Sequence, residues 1–144
     1  MNNLTTHALA FGRIGTGYAV IIRSGGQNTY RICENGVIPH DQFSPQGALN
    51  WFIEKHDPDT LFFGTYEPLD TPVKILMLKT DIPVHSIPKR EAIAAGTKAE
   101  KYLPNFYKHV HTDKQDLWTG FHLYPSLQAL CVAFSSAYYE EQKS

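Results

Sequence analysis

The stretch Ala10-Phe11-Gly12-Arg13-Ile14-Gly15-Thr16-Gly17-Tyr18-Ala19-Val20-Ile21 reads as a strand, a glycine turn and a second strand. That layout suits a site in which a first strand presents a carboxylate to a metal ion, yet the residue at that position is Ala10. A second group runs from Lys98 to Lys108, where Lys98, Lys101 and Lys108 are interleaved with Tyr102, Phe106 and Tyr107. Basic groups mixed with aromatics can follow a phosphate chain and stack on unpaired bases. The same segment also suits a helix that packs Leu103, Phe106 and Tyr107 on a sheet and leaves its lysines in water. The third group is His109-x-His111 with His122 further on. On a strand, residues i and i+2 share a face, so the pair could converge on zinc or nickel. Only Asp113 is close by to complete such a set, and surface histidines, or histidines lying against phosphates, are the plainer reading.

Other chemistries find no support. There is no Gly-x-Ser-x-Gly elbow, and neither Cys33 nor Cys131 sits in a local motif. Gly12-x-x-Gly15-x-Gly17 precedes a strand instead of opening a helix, so it is not a dinucleotide fingerprint, and no loop ends in Gly-Lys-Ser/Thr. The two cysteines are far apart and in no metal-ligand spacing. They are expected to be buried free thiols in a reducing compartment, with a disulfide as the alternative.

The chain has 144 residues, 42% hydrophobic and 19% charged, with 12% aromatic. One globular domain spanning residues 1–144, with a core of its own, is the expectation. The first six residues are polar and carry no Lys or Arg, and no apolar run follows them. Neither a secretory signal nor a membrane span is expected, and the expected location is cytoplasmic. Net charge is −1, but its distribution is uneven. Residues 1–70 carry −3, residues 71–114 carry +4 and residues 115–144 carry −2. A basic segment of that kind can follow a phosphate backbone, although from charge alone ordinary solvated lysines are the plainer reading.

These groups must be positioned by strands and helices. Leu4 to Phe11 is predicted as the first strand and Tyr18 to Arg23 as a buried second one. After the Ser24-Gly25-Gly26-Gln27-Asn28 loop, Thr29 to Glu34 returns as a third strand, ended by Asn35-Gly36. Ser44-Pro45 opens a helix whose apolar face holds Leu49, Phe52, Ile53 and His56, and Asp57-Pro58-Asp59 stops it. Thr60 to Phe63 reads as a strand buried on both faces. Thr71-Pro72 opens a second helix with Val73, Leu76 and Met77 on one side. Ile82 to Ile87 is a fifth strand, Pro88 begins a short helix, and Ala99 to Val110 is helical with a break near Pro104. Leu127, Leu130, Cys131, Phe134 and Tyr138 line one face of a last helix. The order predicts an α/β fold, a mixed five-stranded sheet flanked by helices in the ribonuclease H-like order.

Four segments, in order, make the chain resemble the RuvC family of Holliday-junction resolvases. They are Leu9-Ala10-Phe11-Gly12 running into Thr16-Gly17-Tyr18-Ala19-Val20-Ile21; Pro58-Asp59-Thr60-Leu61-Phe62-Phe63-Gly64; Ile82-Pro83-Val84 through Pro88, followed by Gly96-Thr97-Lys98-Ala99-Glu100-Lys101; and Leu127-Gln128-Ala129-Leu130-Cys131-Val132-Ala133. The resemblance implies a Gly-rich loop at the Gly96 segment and a homodimer. It also implies two divalent ions held by four carboxylates, a pair that clamps the attacking and leaving oxygens of a phosphodiester.

In this chain those four positions fall on Ala10, Gly64, Pro125 and Gln128, none of which is an anionic ligand. The resemblance therefore implies a protein that holds branched or structured DNA without cutting it, and with no cofactor. The phosphate partners would be Arg13, Lys74, Lys89, Arg90, Lys98 and Lys101. Two other readings stand beside this one. A protein-interaction module on the same scaffold suits the mildly acidic net charge and the few arginines. A magnesium-dependent endonuclease would need relocated acids, with Glu67, Asp70 and Asp116 as candidates. Glu67 and Asp70 also suit the start of the helix at Thr71-Pro72, where a carboxylate is favoured by the helix dipole.

Overall fold

The computed structural model describes residues 4–11, 15–23, 30–65, 80–102 and 127–135. Five strands form one sheet: β1 (Leu4–Phe11), β2 (Gly15–Arg23), β3 (Tyr30–Pro39), β4 (Leu61–Thr65) and β5 (Val84–Ser86). Among the described residues three helices accompany them: α1 (Pro45–His56), α2 (Lys89–Tyr102) and α3 (residues 127–135). The sheet order is β3-β2-β1-β4-β5. β1, β2 and β3 pair antiparallel, and β1–β4 and β4–β5 pair parallel. This is the mixed sheet that the sequence predicts. No described helix is long and apolar enough to cross a membrane. The helix predicted at Thr71-Pro72 lies outside the described residues.

Alternation along each strand sorts the side chains onto two faces. Leu9, Phe11, Val20, Leu61 and Phe63 pack against Leu49 and Phe52 of α1, with Tyr18, Trp51 and Ile53 around them. The opposite face carries Ala8, Ala10, Ala19, Ile21 and Phe62. It packs against Ala92, Ala95 and Ala99 of α2 and against Leu127, Leu130 and Phe134 of α3. Helix α1 begins and ends as its sequence dictates. Ser44 Oγ accepts from the Gly47 amide at 3.1 Å, Pro45 takes the first turn, and Asp57 closes the helix in the left-handed region at φ 45°.

Four sequence expectations are corrected. β2 starts at Gly15, earlier than Tyr18, because Gly15, Thr16 and Gly17 continue the pairing with β3. A Cβ at Gly15 would lie 2.7 Å from Val37 Cγ1, so only glycine lets the strands approach there. β3 runs through Asn35-Gly36 to Pro39. Asn35 Nδ2 donates to the Tyr18 carbonyl at 3.0 Å, and the Tyr18 ring fills the space above Gly36, so this pair is mid-strand and not a turn. Gly96 and its neighbours form no loop; they lie inside α2. Gly96 is buried, and Thr97 Oγ1 donates back to the Ile93 carbonyl at 2.8 Å. Finally, Cys33 is exposed and only Cys131 is buried, both as free thiols. Val20 pairs with Glu34 while Ile21 pairs with Ile32, which leaves Cys33 as the extra residue of a β-bulge.

Candidate nucleic-acid interface

Near the carboxyl ends of β1 and β4 the register places Ala10 beside Gly64. On the other side Ala10 pairs with Gly17, and Gly17 pairs with Val37. Val37, Gly17, Ala10 and Gly64 therefore form one row across four strands, on the face covered by α2 and α3. Ala10 is 0% exposed and Gly64 and Gly17 are buried, whereas Val37 at the β3 edge is 39% exposed. Gln128 is buried within α3, whose Leu127 and Leu130 belong to the same cluster as Ala10. Three of the four positions singled out by the resemblance thus stand on one side of the sheet, and Pro125 lies outside the described residues.

Divalent cations of the magnesium type need several hard, preferably anionic oxygens. Ala10 and Gly64 offer a methyl group and a hydrogen, and Gln128 offers one neutral amide, so this donor set does not fit such an ion. Among the described residues no three His, Cys, Asp or Glu side chains are grouped to hold a metal. Glu67, Asp70, Asp116, His109, His111, Asp113 and His122 lie outside the described residues.

The basic residues are partly gathered. Lys89, Arg90 and Lys98 are exposed on α2, and Lys101 follows Lys98 by one turn. At 100° per residue, Arg90, Lys98 and Lys101 fall within about 80° of arc, spread along about 16 Å of helix. The buried stripe of Ala92, Ala95 and Ala99 occupies the other side, so the same period that puts these methyls inward puts Arg90 and Lys98 outward. Arg13 and Lys74 lie outside the described residues.

Two clusters escaped the sequence. His85 stacks on Phe62 at 5.3 Å between ring centroids and 28° between planes, across the β4–β5 pair. At the far end of the α1 face, His7 and His56 approach to 5.8 Å between centroids, and His56 Nε2 lies 2.7 Å from Glu34 Oε2. Lys55 Nζ reaches the same carboxylate at 3.3 Å. Burial lowers the pKa of His7, and neighbouring His56 lowers it further, against an opposing pull from Asp59. Burial also lowers His56, more than Glu34 raises it. These partners come from β1, β3 and α1, and only the register joins them. A signal existed for the first cluster alone, since two aromatic residues in adjacent predicted parallel strands can meet.

No family model matches the chain, and no curated protein matches it. Solved structures do. The fold is ribonuclease H-like, shared with poxvirus Holliday junction resolvases. One similar structure is the fowlpox virus resolvase in complex with its substrate Holliday junction DNA, at a TM-score of 0.58 and 10% identity over 98% of this chain and 100% of that one. Another is the fowlpox virus Holliday junction resolvase itself, at a TM-score of 0.54 and 13% identity over the same shares of both chains. At such identities the likeness is one of fold.

Proposed function

We propose that this protein binds branched DNA, four-way junctions above all, and does not cut it. The observation that carries the reading is the pairing of Ala10 with Gly64 in a resolvase-like sheet. It sets two uncharged residues side by side where a two-metal nuclease needs carboxylates. Support for DNA comes from the fold shared with a resolvase bound to junction DNA, over nearly the whole of both chains. The stripe of Arg90, Lys98 and Lys101 supplies phosphate partners, with Lys89 beside it, and Arg13 and Lys74 are further partners from the sequence. A four-way junction presents two related halves, so a homodimer suits it as the binding form.

The test is a gel-shift titration on a four-way junction and on duplex, at rising salt, with Mg²⁺ or Mn²⁺ added in parallel. The junction is expected to be retained preferentially, with affinity falling steeply with salt and no cleaved strand. Changing Arg90, Lys98 and Lys101 together to Gln should lower the salt slope by about 0.9 per lost phosphate contact. No binding at low salt would remove the reading. Cleavage that disappears on changing Glu67, Asp70 or Asp116 would replace it with a nuclease of relocated acids. A second reading, a protein-interaction module, is favoured by exposed Val37 and Phe43 near the β3 edge. It gains if junction binding is absent while the chain pulls down one stoichiometric partner through that edge.

A further inference from the structure

A cleft of about 240 Å³ opens beside β4 and β5, lined by Phe62, His85, Ser86, Ile87, Glu91 and Ser135. Pockets for drug-sized ligands run from about 300 to 1,000 Å³, so this one suits a single flat ring system. One wall is the stack of His85 on Phe62. Phe62 is 4% exposed while His85 is exposed, so the covered ring supports an open one. Among the described residues the polar lining is two hydroxyls, one carboxyl group and the His85 imidazole, from Ser86, Ser135, Glu91 and His85. Lys89 and Arg90, both exposed, share the first turn of α2 with Glu91.

We propose that this cleft receives one unpaired DNA base from a strand whose phosphates are met by Lys89 and Arg90. The proposal rests on the junction-binding reading above and names the feature of the DNA that is read. An aromatic ring with one side covered and the other open is a stacking platform, and every base has a face to place on it. The Glu91 carboxylate accepts hydrogen bonds only, so it selects bases with an exocyclic amine. Cytosine, adenine and guanine carry one, whereas thymine offers only its ring N–H. The acid within an otherwise basic turn then reads the base edge between two phosphate-binding side chains. Phe62 lies two residues before Gly64 on the same face, which sets the cleft about 7 Å along the strand from the Ala10–Gly64 pair.

The test compares three four-way junctions by fluorescence titration: fully paired, with one unpaired cytosine next to the crossover, and with one unpaired thymine there. The cytosine probe is expected to bind about tenfold more tightly than the paired one, with the thymine probe between them. His85→Ala should abolish the gain and leave the paired junction unchanged. Glu91→Ala should erase the difference between cytosine and thymine. 2-Aminopurine at the unpaired position should be quenched on binding by the wild type and not by His85→Ala. Equal binding of all three junctions would overturn the proposal and leave junction binding standing. Failure to bind any of them would overturn both. Comparable affinity for deoxycytidine monophosphate alone would overturn the claim that the base comes from a strand.

Discussion

One face of the sheet is packed with rings and the other mostly with small side chains, set around Ile21, Phe62, Leu127, Leu130 and Phe134. On the α1 side, Phe11, Phe52 and Phe63 interlock with Tyr18 and Trp51, and the rings of Tyr18 and Trp51 meet edge-on at 5.3 Å. On the α2 and α3 side, Ala8, Ala10 and Ala19 face Ala92, Ala95, Ala99, Ala129 and Ala133. Large side chains hold a fold through volume and are sensitive to truncation. Small ones let backbones approach closely and are sensitive to enlargement. The contrast teaches where the chain holds its stability and where it can present a surface. The row Val37, Gly17, Ala10 and Gly64, the cleft and the basic stripe all belong to the small-residue side.

The largest expected effect lies on the ring side. Phe52→Ala, at a fully buried position, should cost about 3–5 kcal/mol in urea unfolding, and a loss below 1 kcal/mol would break the contrast. Ala10→Asp should cost about 3 kcal/mol, because it buries a carboxylate at a fully enclosed position flanked by Gly17 and Gly64 in the sheet. Full recovery of that loss on adding Mg²⁺ would show that the row can hold an ion after all. Ala95→Leu should cost about 1–3 kcal/mol by forcing α2 off the sheet, whereas the same change on an exposed residue of α2 should be near neutral.

The smallest expected effect is a pH dependence confined to the ring side. His7 and His56 both have folded pKa values below the ordinary histidine value of 6.5. The unfolded chain therefore binds more protons just below pH 6.5, and stability rises with pH through that window. Their contribution is complete above about pH 6.5 and is lost as pH falls toward the lowered values. Unfolding midpoints between pH 5 and 7.5 should show this slope, and His7→Leu should flatten it. A His7→Leu protein with an unchanged slope would remove His7 from the account.

Much of this architecture was legible because it depends on local pattern. Ser44-Pro45 and Asp57 announce α1 by capping chemistry, and Leu4 to Phe11 announces β1 by its residue types. Ala10 and Gly64 could be singled out by their place in ordered motifs, but that they stand side by side is a fact of register. Asn35-Gly36 has turn chemistry that the Tyr18 ring overrides from the next strand. Gly96 has the look of a loop residue, and burial keeps it helical. The His7–His56–Glu34 group joins residues far apart in the chain, and no spacing rule reaches across three elements.

The bulge at Cys33 has a practical consequence. Its thiol is exposed on the outermost long strand, while the Cys131 thiol is enclosed and its pKa is pushed up by burial. Only the exposed sulfur of Cys33 is within reach of a reagent while the fold is intact. A maleimide dye will thus tag the native molecule at one known address without any engineered cysteine. Uptake of a second dye then counts the molecules that have opened.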